Sequence, residues 1–88
     1  MASKTVTVGS AVGLHARPAA IIAEAAEKYD DEITLTVVGG EDDEGVDAAS
    51  ALMIMTLGAA NGSQVVVTSD NEAAVEEIAA LVAKDLDA

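Results

Sequence analysis

Residues 63–86 read SQVVVTSDNEAAVEEIAALVAKDL. Two periodicities meet in this stretch. Ser63 to Thr68 holds Val65, Val66 and Val67 in a row, which suits a strand buried on both sides or central in a sheet. Ser69-Asp70-Asn71-Glu72 then carries the pattern of a capping box, a serine with a glutamate three residues later. Val75, Ile78, Ala79, Val82 and Leu86 follow at i, i+3, i+4, i+7 and i+11, an amphipathic helix. Just upstream, Asn61-Gly62 is a turn signal. A central strand running straight into a helix makes a layered α+β arrangement the first expectation.

Working outward, Ser50 to Leu57 is a short apolar segment closed by Gly58, expected to be a helix. Gly39 to Gly45 is a turn-rich acidic loop, GGEDDEG, that returns the chain into a short strand near Gly45 to Ala48. Its spacing does not match a calcium loop, so it reads as solvated. Glu32 to Val38 alternates, with Ile33, Leu35 and Val37 on one face of a strand. From about Ala16 to Tyr29 the period is helical, with Ala19, Ile22, Ala26 and Tyr29 in one stripe, and Asp30-Asp31 ends the helix. Ser10 to Gly13 reads as a loop. Lys4 to Val8 alternates again, with Val6 and Val8 on one face. The element order is β-α-β-β-α-β-α. One-sided alternation in the outer strands predicts an antiparallel or mixed sheet with its helices on one face.

Composition narrows the function. Eighty-eight residues make one small domain, 1–88, with room for one core and one site. No linker or internal repeat breaks it. Cysteine is absent, which excludes disulfides, zinc thiolate sites and thiol catalysis, and leans towards a reducing, cytoplasmic setting. The N-terminus alternates polar and apolar residues, unlike a signal peptide. No run approaches the roughly 20 apolar residues that span a bilayer. The net charge is −12, from 16 acids against 4 lysines and arginines. Phosphate backbones and anionic membranes would be repelled. Tyr29 is the only aromatic residue, so base-stacking platforms are missing as well. Such acidity with so few lysines resembles proteins of salt-loving organisms, in which dissolved ions screen the repulsion.

The acids are unevenly spread. None falls in the first 20 residues, and that acid-free quarter holds Gly13-Leu14-His15-Ala16-Arg17-Pro18-Ala19-Ala20, GLHARPAA, with the only histidine, arginine and proline of the chain. A helix starting at or just after His15 would present free backbone N–H groups and the positive end of its dipole there. Pro18 suits the first turn, where its missing N–H is not needed. Arg17 adds a guanidinium whose donors match phosphate oxygens. The cation and the dipole both disfavour imidazolium, which leaves His15 neutral with a free nitrogen lone pair. The constellation is an anion site with a nucleophile in its middle, suited to forming a labile phosphohistidine. Ala16 and Ala19 leave it uncrowded. A lone histidine supplies one good metal ligand at most, so no metal and no other cofactor is expected. The small size of the domain, which leaves little room to enclose a substrate cleft, argues against a Ser-His-Asp hydrolase.

GLHARPAA resembles the active-site signature of the HPr family, the histidine-containing phosphocarriers of the phosphoenolpyruvate-dependent sugar phosphotransferase system. Residues 46–67, VDAASALMIMTLGAANGSQVVV, are similar to that family's second signature, in which a serine opens a short helix ending in Leu-Gly. The resemblance covers essentially the whole chain. It implies an open-faced β-sandwich, with four antiparallel strands in the order 1-4-2-3 and three helices on one side. It implies that enzyme I donates a phosphoryl group to His15 Nδ1 and that a sugar-specific enzyme IIA, or a dihydroxyacetone kinase subunit, accepts it. His15 is then the carrier, Arg17 the phosphate contact, and Ala16 and Pro18 the support at the helix start. Ser50 matches a position phosphorylated by a regulatory kinase in some bacteria; the simpler reading of Ser50 is a helix cap. Ala51, Leu52 and Met55 match an apolar patch that docks partners, with Met53, Ile54 and Leu57 turned to the core. Such a protein is a monomeric carrier and not a self-contained enzyme. The other reading is a regulatory module of the same fold that docks through its second helix. The acidic loop is longer than the family's, Ala51 reduces the patch, and Ala49 stands where a basic residue often precedes the serine.

Overall fold

The structure, a computed structural model, describes residues 2–9, 16–38, 45–56 and 62–84. Its elements run β1 (Ala2–Thr7), α1 (Ala16–Ala26), β2 (Ile33–Val37), β3 (Val46–Asp47), α2 (Ala51–Thr56), β4 (Gln64–Ser69) and α3 (Glu72–Ala83). The strands form one antiparallel sheet in the order β1-β4-β2-β3. The order of elements is the expected one, and the sheet is wholly antiparallel rather than mixed. The three helices cover one face, which makes the molecule an open-faced α+β sandwich.

The valine run explains the centre. β4 lies between β1 and β2, with Val65 and Val67 fully buried. Leu35 of β2 stands opposite Val67, and Ile33 opposite Ser69. These side chains meet Ile22 of α1 and Val75, Ile78 and Val82 of α3 in a core built wholly of aliphatic residues. Val66 and Thr68 point the other way and are half-exposed, because alternate residues of a strand face opposite sides.

Two ends differ from expectation. The serine of the supposed capping box is not the cap. Ser69 is still in the sheet, paired with Ala2 and Ile33, and is buried. The cap of α3 is Asn71, at φ −97° and ψ 106°, whose side-chain oxygen accepts from the amides of Ala73 at 3.0 Å and Ala74 at 3.3 Å. Ser69 Oγ accepts from the Asn71 amide at 3.1 Å, which bends the chain out of the strand before the helix begins. At the other end of the stripe, α1 stops at Ala26, short of Tyr29. Its amides switch there from Glu27 bonding Ala23 to Lys28 bonding Ala25 and Tyr29 bonding Ala26, a tightening of the last turn. Tyr29 then donates to Glu77 of α3, and that bond, with burial second, holds the phenol above its ordinary pKa of 10.0.

β1 runs straight into the acid-free segment, and its exit is fixed from two sides. Val8 is buried; its amide donates to Ser63 and its carbonyl accepts from Gly62. Gly62 sits at φ +91°, a conformation that side chains disfavour, which accounts for the glycine in Asn61-Gly62. Gly9 donates to the carbonyl of Val82 at 3.1 Å and lies so close to α3 that a Cβ there would be 2.0 Å from the Ala83 oxygen. The root of the segment leading to His15 is thereby pinned to the C-terminal turn of α3.

Candidate functional site

α1 begins where the dipole argument places the site. Ala16 opens the helix, Arg17 follows, and no acid lies in the first turn. Pro18 and Ala19 are buried while Ala16, Arg17 and Ala20 are exposed. Pro18 therefore does two things. It starts the helix without wasting an N–H, and its ring packs the first turn down. Burial of Pro18 and Ala19 holds the turn in place and leaves Arg17 facing solvent. Arg17 makes no ion pair with any described residue; the ion pair among those residues joins Lys4 Nζ to Glu76 at 3.0 Å, between β1 and α3. Among the described residues, nothing neutralises the exposed Arg17 guanidinium. His15 lies outside the described residues, immediately before the helix.

A concavity of about 680 Å³ occurs elsewhere, past the C-terminal end of α1. Glu27, Asp30, Asp31, Glu32 and Asp47 stand in its wall. Five carboxylates repel phosphate, and Glu27 is roughly 15 Å along the chain's helical rise from Arg17. This hollow is therefore a poor place for an anion.

The sheet order and the placement of the three helices coincide with what the two sequence signatures imply. A family model described as "PTS HPr component phosphorylation site" matches residues 2–84. The chain belongs to the HPr family. It is 43% identical over 90 residues to the phosphocarrier protein HPr of Streptomyces coelicolor, covering 99% of this chain and 94% of that protein. It is 33% identical over 82 residues to the phosphocarrier protein NPr of Klebsiella oxytoca, covering 91% and 86%. Among solved structures, the crystal structure of HPr from Bacillus anthracis superposes with a TM-score of 0.79 at 33% identity, covering 92% of this chain and 95% of that one.

The second signature of the HPr family takes in β3, α2 and the start of β4. Ser50 caps α2: its Oγ accepts from the Met53 amide at 3.3 Å and its carbonyl accepts from Ile54 at 3.0 Å. At the other end Thr56 Oγ1 donates to the Met53 carbonyl at 2.6 Å. Asp47 shapes the approach by accepting from the Ala49 amide at 2.9 Å. α2 packs against α1, so the described helical parts of the two signatures are neighbours.

Only Ile54 of α2 is fully buried. Leu52 is 69% exposed, Met53 43% and Met55 38%. The expectation that Met53 turns to the core with Ile54 is wrong. Successive helical residues are about 100° apart, so if Ile54 points inward, Met53 and Met55 flank it on either side and Leu52 points away. Ala51 lies on the inner flank and is half-buried. Leu57 and Gly58 lie outside the described residues. Met53 is the surface residue missed by the sequence reading. Counting angles outward from a single buried isoleucine finds it.

Proposed function

We propose that the chain carries a phosphoryl group on His15, received from phosphorylated enzyme I and passed to a sugar-specific enzyme IIA. In each transfer the donor's bond to phosphorus breaks as a bond forms to the His15 Nδ1 lone pair, and the reverse hands the group on. The observation that supports the reading is the first turn of α1, free of acid and closed underneath by Pro18 and Ala19, with Arg17 exposed two positions after His15 in the chain. Arg17 stabilises charge on the phosphoryl group in transit, while Ala16 keeps the approach open. Leu52 and Met55, with Ala51 at the edge, form the docking surface for both partners. Ser50 serves first as the cap of α2, so a phosphate there would act on the helix that carries that surface. The working form is a monomeric single domain in the cytoplasm.

The test is incubation with enzyme I and phosphoenolpyruvate, followed by intact mass. One phosphoryl group should be added, stable in base and lost in acid, and His15→Ala should take none. Arg17→Ala should fold normally and transfer on the order of 10- to 150-fold more slowly, the value of one charge-assisted contact of roughly 1.5–3 kcal/mol. Undiminished phosphorylation of His15→Ala overturns the assignment. The −12 charge belongs to the same reading. Melting temperature, followed by far-ultraviolet circular dichroism, should rise between roughly 0.1 and 1 M potassium chloride as the Debye length falls from about 10 to 3 Å. A flat or falling curve refutes adaptation to a saline cytoplasm.

A further inference from the structure

The chain has no cysteine and three methionines, and two of the three, Met53 and Met55, stand on α2. Both are exposed, and the buried core holds no methionine at all among the described residues. Among the described residues, sulfur lies on this one surface and not in the interior. We propose that Met53 and Met55 are a reversible oxidation site, and that converting them to sulfoxides weakens partner docking while leaving the fold intact. The effect on docking rests on the carrier reading above; the modification itself does not.

The chemistry needs only a peroxide as oxidant. A thioether lone pair attacks one peroxide oxygen, the S–O bond forms, the O–O bond breaks, and proton transfer releases water. Sulfur loses two electrons and the peroxide gains them. The product is polar and chiral where the reactant was apolar and adaptable. At a partner interface its S=O oxygen must be stripped of water or left unpaired, either of which costs affinity.

The geometry separates this surface change from damage. The backbone of Met53 is held at both ends, its amide by Ser50 Oγ and its carbonyl by Thr56 Oγ1. Ile54, between the two methionines, supplies the anchor to the core and carries no sulfur. Both methionine side chains are exposed and neither is part of the buried core, so oxygen added there does not intrude on the packed interior. Leu52, the most exposed of the group, cannot be oxidised in this way, so the patch loses its two adaptable members and keeps its rigid one.

The experiment treats the full chain with dilute hydrogen peroxide and maps the added oxygen by peptide mass, which separates Met53 and Met55 from Met1. Both sulfurs should gain one oxygen, at a rate below that of free methionine because each residue is partly covered, with an unchanged melting curve. Transfer from phosphorylated enzyme I should fall about tenfold, the effect of losing one strong interface contact. Methionine sulfoxide reductases with a dithiol should restore the rate. A Met53→Leu/Met55→Leu variant, compared with its own untreated rate, should lose nothing on treatment. Sulfoxides at both sites with transfer unchanged overturn the switch, as does an equal loss in the double variant. Sulfurs that resist peroxide overturn the site itself. Untreated protein that accepts no phosphoryl group sinks the carrier reading and the switch with it.

Discussion

α2 and α3 are both rich in apolar residues and meet opposite fates. α3 buries Ala74, Val75, Ile78, Ala79 and Val82 and turns its glutamates outward. α2 buries Ile54 and leaves Leu52, Met53 and Met55 in solvent. Length decides the difference. Twelve residues give α3 three turns across β1 and β4, enough for a full stripe. Six residues give α2 less than two turns, so one side chain reaches the core and its neighbours are left outside. An apolar sequence is a core signal only when the element is long enough to use it. A short one becomes exposed apolar surface, which the proposed carrier role would use for docking.

The comparison breaks most readily at its anchors. Ile54→Ala and Ile78→Ala should each cost about 2–5 kcal/mol in urea denaturation, because both side chains are fully buried. A value for Ile54 well under 1 kcal/mol would make α2 a passenger on the fold. Caps come next. Asn71→Ala removes two hydrogen bonds at the start of α3 and should cost about 1 kcal/mol, whereas Ser50→Ala removes one longer bond and should fall near the bottom of the 0.5–2 kcal/mol range for such caps. Equal costs would contradict the ranking of the two helices. The smallest effect on stability belongs to Leu52→Asp, expected within about 0.5 kcal/mol because the side chain is mostly solvated. Its effect on association with enzyme I should exceed that, seen as a weaker affinity at an unchanged melting temperature. Unfolding of this variant would make Leu52 part of the core and move the docking surface elsewhere.

Much of the fold was legible because a period of two and a period of 3.6 leave different marks. Ile33, Leu35 and Val37 announce a one-sided strand, and Val65 to Val67 announce the middle of the sheet. The start of α1 was legible too, since Pro18 fits only an early turn and the acids are missing around Arg17. Two features were not legible, for local reasons. Leu52-Met53-Ile54-Met55 contains no polar residue to say which way the helix rotates, and the answer comes from packing against α1. Ser69 and Asn71 are both good caps, and the choice depends on how far β4 stays paired with Ala2 and Ile33, residues distant in sequence. His15, the residue on which the proposed function turns, lies outside the described residues.

The position of β4 has a consequence during synthesis. It is the sixth element made, yet it is the strand that joins β1 to β2. Ala2 pairs with Ser69, near the opposite end of the chain. On a ribosome adding roughly 5–20 residues per second, β2 waits about two to six seconds after Val37 is made before β4 is complete, and β1 waits longer. Unpaired strands are hazards when they are apolar. β1 reads Ala-Ser-Lys-Thr-Val-Thr and β2 carries Thr34 and Thr36, so the waiting edges are polar on alternate positions. The threonines of the open sheet face thus guard the nascent chain, and the segment holding His15 acquires its fixed root only once the last helix has formed to receive Gly9.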